Sequence, residues 1–112
     1  MTEYVPDIGH IVWLSLGPQA GREQAGRRPF LVLTPRTYNA KTSLVVGCPI
    51  TSRSKGYPFE VALSPDGAVA GVILSDHVKS VDWRSRGATF GTEADTASMR
   101  AVKTLIATLL DI

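Results

Sequence analysis

The chain has 112 residues, of which 44% are hydrophobic and 20% are charged, and its formal net charge is +2 at pH 7. This length and composition predict a single globular domain over residues 1–112, and the modest charge permits a polyanionic partner without requiring one. No stretch approaches the roughly 18 to 20 apolar residues of a membrane span, and residues 1–6 lack the basic start and apolar region of a signal peptide. We therefore expect a cytoplasmic protein without membrane contact.

Seven short apolar segments bounded by Gly, Pro, Asp or Ser predict β-strands. In chain order they are residues 9–16, 29–34, 43–50, 59–63, 69–74, 78–81 and 88–90. Three of them are apolar almost throughout, which predicts strands that are covered on both faces. Pro49 would be costly inside a central strand, so we expect it at a bulge or a strand end. Residues 65–67, Pro-Asp-Gly, predict a tight turn between neighbouring strands.

The C-terminal segment has the periodicity of a helix. Its apolar residues recur at helical spacing from Thr96 onward, and Asp95 is placed to be the N-cap. These apolar residues are Val102, Leu105, Ile106, Leu109 and Leu110. The whole pattern therefore predicts a small β-barrel with a C-terminal helix packed across it.

Cys48 is the single cysteine, and it has no Cys or His at metal-ligand spacing. Because it lies within the apolar run 44–50, we expect a small core residue and no redox chemistry. No HExxH, paired CxxC or carboxylate cluster indicates a metal, and no P-loop or Rossmann glycine pattern is present. We expect neither a metal nor another cofactor.

Arg28 stands where a polar loop, residues 17–27, meets the apolar run that begins at Pro29. Because proline disfavours the helical region for the residue before it, Arg28 is biased to an extended backbone and its guanidinium can be aimed. A fork of donors held in this way suits a phosphate. The alternative is an exposed arginine that keeps a strand edge soluble.

Two further segments carry cations beside hydroxyls or aromatic rings. In residues 51–59, two hydroxyls are followed by two cations and two rings. Cations that follow a backbone, beside rings that stack on bases, form a platform for single-stranded nucleic acid. The alternative is a solvated loop whose rings fold back onto the core, with Phe59 the better core residue. Residues 75–87 form a second basic edge, in which we expect Trp83 to belong to the core or an interface.

Several stretches resemble the MazF branch of the MazF/PemK toxins, and the match is collinear over nearly the whole chain. They are residues 4–7, 23–26, 28–29, 55–61, 78–80, 83–84 and 86–89. The resemblance implies an α+β, mainly β fold, the SH3-like small barrel of the CcdB and MazF toxins with a C-terminal helix. It also implies a homodimeric, metal-independent, sequence-specific endoribonuclease of a type II toxin–antitoxin system. Such a toxin cuts single-stranded mRNA and is neutralised by an acidic MazE-like antitoxin.

The resemblance also assigns catalytic residues. Arg28 matches the key arginine of the family, which would hold the scissile phosphate, and Thr51 matches the strand-end threonine that would bind the same phosphate. Glu23 corresponds to a loop carboxylate of MazF-type members and Asp76 to the base proposed in PemK-type members, and which of them accepts the proton is left open. PemK-type relatives also carry an arginine at the position of Leu74, so this chain departs from their pattern.

The expected RNA contacts are polar, basic and aromatic residues near those positions. They are Gln24, Arg27, Ser52, Arg53, Lys55, Tyr57, Phe59, His77, Lys79, Arg84 and Arg86. With Arg22, the cations of this set are expected to form a basic rim that attracts RNA or an acidic peptide.

Three alternative functions follow from the residues or the fold. A histidine-pair ribonuclease would use His10 and His77, but His10 begins a strand at a position typical of a surface side chain. A CcdB-like gyrase poison shares the fold, but residues 109–112, Leu-Leu-Asp-Ile, differ from the Trp-Gly-Ile on which CcdB chains depend. A non-catalytic RNA-binding barrel would make Arg28 and Thr51 incidental.

Overall fold

The structure is a computed structural model that describes residues 3–16 and 26–112. In chain order its strands and α-helices are β1 (His10–Ser15), β2 (Arg27–Val32), α1 (Arg36–Thr42), β3 (Leu44–Thr51), β4 (Glu60–Ala62), β5 (Val72–Leu74), β6 (Lys79–Asp82), β7 (Thr89–Glu93) and α2 (Thr96–Leu110). A short 3₁₀ turn, Ser75–His77, connects β5 to β6. No helix within the described ranges has both the length and the apolar character needed to cross a bilayer.

The strands form an antiparallel sheet in the order β4-β5-β3-β2-β1-β7, and β6 pairs with β3. The branch arises because β3 changes partner along its length. Residues 44–47 pair with β6, whereas Ile50 and Thr51 pair with β5. The predicted α+β, mainly β fold with a C-terminal helix is confirmed, and an open sheet of this kind is compatible with a small barrel-like fold.

Apolar side chains cover both faces of this sheet, as the continuous apolar runs predicted. Successive residues of a strand point to opposite faces. Ile11 of β1 therefore packs in one cluster with Val102 of α2, while the next residue, Val12, packs in a second cluster with Phe30 and Trp83. Complete burial of such side chains stabilises the fold by about 1.5–3 kcal/mol each. Trp83 is a core residue, as expected.

Helix α1 was missed by the sequence analysis because its residues, Arg-Thr-Tyr-Asn-Ala-Lys-Thr, carry no apolar stripe. Its buried residue is the polar Asn39. The side-chain amide of Asn39 donates hydrogen bonds of 2.9 Å to the carbonyl oxygens of Pro6 and Thr34, and the main-chain carbonyl oxygen of Asn39 accepts one from the Trp83 indole at 2.9 Å. Polar contacts with distant segments therefore hold α1.

The prediction for Pro49 was wrong, because this residue lies inside β3. On one side it pairs with Phe30 of β2. On the other side, the pairing with β6 ends at Gly47 and the pairing with β5 begins at Ile50. Pro49 therefore lies in the gap between two partner strands, where a residue without an N–H is tolerated.

The prediction for His10 was also wrong, because its side chain is 12% exposed and not at the surface. Its ring stacks on Tyr4 and meets the edge of Phe90. Its Nδ1 lies 2.8 Å from the Tyr4 hydroxyl oxygen. Burial lowers the pKa of His10 and raises that of Tyr4 to about 12. The imidazole is part of the scaffold at the start of β1.

Three local predictions are confirmed. The Asp95 carboxylate accepts the N–H of Ser98 at 2.7 Å and caps α2. The N–H of Gly67 donates to the carbonyl oxygen of Ser64 at 3.1 Å and closes the predicted turn between β4 and β5. Cys48 is a buried free cysteine, and burial raises the pKa of its thiol to about 12.

Candidate active-site cleft

A cleft of about 770 Å³ opens at one end of the sheet. Among the described residues, four parts of the chain line it: Trp13 and Leu16 of the β1 end, residues 26–29 at the start of β2, residues 49–53 at the end of β3, and residues 68–70 before β5. The lining residues thus lie at strand ends and in the adjoining loops, and the strands themselves belong to the packed sheet.

The cleft opens where β2 and β3 stop pairing. Their ladder runs from Val32 opposite Gly47 to Phe30 opposite Pro49. Arg28 and Thr51 each lie two residues beyond the last pair, and residues two apart on a strand point to the same face. Both line the cleft. The structure therefore brings together the two residues that the sequence analysis matched to phosphate-binding positions.

Arg28 is exposed, and it lies in extended backbone immediately before Pro29, as expected. Within residues 3–16 and 26–112, its guanidinium makes no hydrogen bond or ion pair to the protein. A delocalised cation with five donors on a cleft wall can bind a phosphate through two parallel hydrogen bonds.

Thr51 is half-buried, and its hydroxyl oxygen accepts the backbone N–H of Arg53 at 3.2 Å. Gly71, at the start of β5, lies directly against the Thr51 backbone, because a Cβ at this position would overlap the carbonyl oxygen of Thr51. Gly71 also has a φ of +123°, which residues with a side chain rarely adopt. The close approach of β5 therefore depends on glycine and fixes Thr51 at the cleft.

The loop after Thr51 is ordered by Glu60 of β4. The Ser54 hydroxyl donates to Glu60 Oε1 at 2.7 Å, and the backbone N–H of Lys55 donates to Oε2 at 3.0 Å. The bond from the Lys55 N–H lowers the pKa of Glu60 most, and the bond from Ser54 lowers it further. In this loop Lys55 is exposed and Tyr57 is 54% exposed, while Phe59 is half-buried. The expectation that Phe59 is closer to the core than Tyr57 is confirmed.

Three arginines predicted to contact RNA bind other parts of the protein. Arg84 stacks 4.4 Å from the Trp83 ring centroid and forms an ion pair of 3.2 Å with Glu3. Arg86 donates to a main-chain carbonyl at the end of β1 at 3.0 Å. Arg27 lines the cleft, and the two hydrogens of its Nη2 are shared among three acceptors on β1, β7 and the loop before β7. These three arginines therefore bind the protein itself, whereas the guanidinium of Arg28 makes no bond to the described residues.

Asp76, His77 and Lys79 lie outside the set of residues that line the cleft. In the described part of the chain, the buried Oδ1 atom of Asp76 has no hydrogen-bond partner, and it lies 3.9 Å from Nε2 of His77. The side chains of His77 and Lys79 are exposed. This second basic segment follows β5 and is separate from the wall that carries Arg28 and Thr51.

Three predicted residues, Arg22, Glu23 and Gln24, lie outside the described residues. Two residues with a clear part in the geometry, Glu60 and Gly71, were missed by the sequence analysis. Gly71 lies inside the predicted strand 69–74, and a glycine within a strand is a signal for close backbone approach. No sequence signal distinguishes Glu60 from a solvated strand residue. Among the described side chains, no group of three His, Cys, Asp or Glu is arranged to hold a metal ion.

Comparison with known proteins gives a consistent result. A family model described as PemK-like, MazF-like toxin of type II toxin-antitoxin system matches residues 7–110. The endoribonuclease toxin MazF of Escherichia coli strain K12 is 44% identical over 110 residues, which are 98% of each chain. A chain in a crystal structure of MazE-MazF from Deinococcus radiodurans is 53% identical with a TM-score of 0.92, covering 98% of this chain and 99% of that one. A crystal structure of MazF from the same organism has a TM-score of 0.89 and 53% identity, and the match covers 98% of this chain and 100% of that one. The resemblance seen in the sequence is confirmed, and the chain belongs to the PemK-like, MazF-like toxins of type II toxin–antitoxin systems.

Proposed function

We propose that this chain, acting as one domain over residues 1–112, is a cytoplasmic toxin that cleaves single-stranded mRNA at specific sequences and so arrests translation and growth. One observation carries the proposal: Arg28, unengaged within the described residues, shares a cleft with the Thr51 hydroxyl. The 44% identity with a protein named endoribonuclease toxin MazF supports the same activity.

The reaction that suits this site uses the RNA's own 2′-hydroxyl as the nucleophile. The 2′-oxygen attacks the adjacent phosphorus as a general base takes its proton. The bond from phosphorus to the 5′-oxygen breaks, and that oxygen takes a proton from water, which gives a 2′,3′-cyclic phosphate and a 5′-hydroxyl. The protein must neutralise the charge that grows on the non-bridging oxygens. No metal or cofactor is part of this proposal.

Arg28 supplies that neutralisation in the proposed mechanism. Its fork of donors fits two phosphate oxygens, and strand β2 with Pro29 fixes the direction in which the side chain leaves the backbone. Thr51 adds a neutral donor. Because its oxygen already accepts the N–H of Arg53, its own O–H proton is available for the same phosphate. Donors fixed before the reaction stabilise developing charge without reorganisation.

We assign the general base to Glu23 in preference to Asp76. Glu23 precedes the cleft residue Gly26 by three positions, and three residues of chain span at most about 10 Å. Asp76 is outside the cleft wall. Gln24, Ser52, Arg53, Lys55, Tyr57 and Phe59 complete the RNA-binding surface that we propose around these residues.

We further propose that the chain forms a homodimer and is neutralised by an acidic MazE-like antitoxin. Related chains crystallised as MazE-MazF support the antitoxin. Exposed apolar side chains at the end of α2, Leu109, Leu110 and Ile112, offer surface that a second copy would cover.

The test is cleavage of a long single-stranded RNA by the purified protein in excess EDTA. We expect cutting to persist and to leave a cyclic phosphate or its 3′-phosphate opening product upstream and a 5′-hydroxyl downstream. Arg28→Ala, purified identically, is the matched control, because a contaminating ribonuclease would cut equally in both preparations. Activity that disappears on chelation and returns with a divalent ion would overturn the mechanism.

A further inference from the structure

Arg27 and Arg28 are neighbours in sequence, yet their guanidinium groups have different surroundings. Nη2 of Arg27 donates to the carbonyl oxygens of Trp13 at 2.7 Å and Gly87 at 2.6 Å, and to Thr89 Oγ1 at 3.0 Å. Arg28 has no such bond to any described residue. Adjacent side chains on a strand leave on opposite faces, so one arginine can anchor the strand while the other projects from it.

The three acceptors of Arg27 lie on neighbouring segments of the chain. Trp13 and Thr89 are paired across the β1–β7 ladder, and Gly87 lies two residues before Thr89. Gly87 has a φ of +65°, and a Cβ there would lie 3.4 Å from Nη1 of Arg27, so this turn also packs closely against the guanidinium. Arg27 thereby joins β2 to two segments that are far from it in sequence.

Arg27 is also the first residue of β2, and it pairs with Ser15 at the end of β1. Strand ends open locally at a much lower free energy than a core strand does. A clamp at this position therefore limits the movement of the next residue, Arg28. Hydrogen bonds from a charged donor are stronger than neutral ones, which suits a clamp at an exposed strand end.

We propose that Arg27 is a positioning residue that acts through Arg28: its Nη2 bonds fix the start of β2, so that the Arg28 guanidinium is held toward the scissile phosphate. The proposal rests on the proposed function. In this proposal Arg27 acts on the cleft through its Nη2 bonds to the protein and not as an RNA ligand.

The first test separates binding from catalysis with Arg27→Met, which keeps a long side chain and removes the donors. We expect the single-turnover cleavage rate to fall about tenfold to a hundredfold, as a displaced catalytic group causes. The Kd for the same RNA with a 2′-deoxy sugar at the cut site should hardly change. If the affinity falls tenfold or more instead, and the salt dependence loses the equivalent of about one phosphate contact, Arg27 is an RNA ligand and the proposal is wrong.

The second test is a double-mutant cycle with Arg28→Lys. If Arg27 acts through Arg28, Arg27→Met should cost much less in the Arg28→Lys background than in the parent, because residues that act as a unit are not additive. Equal costs in both backgrounds would contradict the proposal. Thr89→Val, which removes one of the three acceptors, should slow cleavage in the same direction but less than Arg27→Met.

The third test does not depend on activity. Amide hydrogen exchange at residues 27, 28 and 30 should accelerate in Arg27→Met and not in Arg36→Met, which removes an engaged arginine from α1. Unchanged exchange would overturn the clamp. If the parent protein cuts no RNA but the exchange result holds, the proposed function fails while the clamp stands, so the two failures are distinguishable.

Discussion

The backbone N–H of Arg53 donates to the hydroxyl oxygen of Thr51 at 3.2 Å, so the position of this hydroxyl is fixed by its own loop. A hydroxyl that accepts in this way retains its proton as a donor. Thr51 also lines the cleft that contains Arg28. Thr51 can therefore donate a neutral hydrogen bond in the same cleft as the Arg28 cation.

Thr51→Ala should therefore slow cleavage, while Thr51→Ser should retain most of it. Loss of a hydrogen bond to a charged group costs about 1.5–3 kcal/mol, which corresponds to a rate lower by roughly 10- to 150-fold. Single-turnover rates on one RNA measure the effect. Equal rates for the serine and alanine variants would show that the hydroxyl takes no part.

Arg28→Ala should lower the cleavage rate by about 100- to 1000-fold, because it removes a charge-stabilising group from the site. The thermal midpoint should stay close to that of the parent, since the Arg28 side chain is exposed and its guanidinium makes no bond to the described residues. Arg28→Lys should recover only part of the rate, because an ammonium lacks the planar fork. Activity within about threefold of the parent would remove Arg28 from the mechanism.

The sequence analysis matched Arg28 and Thr51 to phosphate-binding positions through the family resemblance, and the structure places both residues on the wall of one cleft. The engagement of Arg27 was not predictable, since its three acceptors come from β1, β7 and the loop between β6 and β7. Two adjacent arginines look alike in a sequence. Only long-range contacts separate the anchored one from the unengaged one.

The same reason explains the other differences between sequence and structure. The burial of His10 depends on Tyr4 and Phe90, which belong to separate segments, and α1 depends on the polar contacts of Asn39. Local signals, such as the Asp95 cap of α2, were read correctly because every partner lies within a few residues. Local chemistry is thus visible in the sequence, and long-range polar contacts are not.

Gly71→Ala should impair both stability and cleavage. The new Cβ would overlap the Thr51 carbonyl oxygen and lie 3.4 Å from the Cα of Ser52, at a φ of +123°. Backbone strain of this kind costs about 1–3 kcal/mol, and relief would require Thr51 to move. Denaturant unfolding and single-turnover cleavage measure the two effects.

Gly67→Ala is the control for Gly71→Ala, because the φ of Gly67 is not in the strained range and the nearest atom to its Cβ, the Ser64 carbonyl oxygen, lies at 3.4 Å. Similar effects in both variants would contradict a specific contact at Thr51.

Acidification should loosen the loop that Glu60 orders. The folded-state pKa of Glu60 is lowered from 4.5, so its contribution is fully present above about pH 4.5 and is lost as the pH falls through the lower folded value. Amide exchange at Lys55, corrected for its intrinsic pH dependence, should accelerate only in that acidic range. Glu60→Gln should accelerate it at neutral pH and weaken RNA binding. A variant that matches the parent at neutral pH would show that the carboxylate does not order the loop.

The final prediction is that the protein is a dimer at micromolar concentration and that an acidic peptide competes with RNA for it. Arg28 and Arg53 line the cleft, and Lys55, two residues after Arg53, is exposed, so a disordered segment rich in Asp and Glu should bind where the RNA phosphates would. Binding of exposed charges is screened by salt, so both affinities should fall as ionic strength rises. Sedimentation and competition against labelled 2′-deoxy-substituted RNA measure these outcomes. A peptide of the same length with Asn and Gln in place of the acids is the control and should not compete. A monomer that cleaves at the full rate would contradict the dimer, and an acidic peptide that binds without displacing RNA would place the antitoxin site elsewhere on the protein.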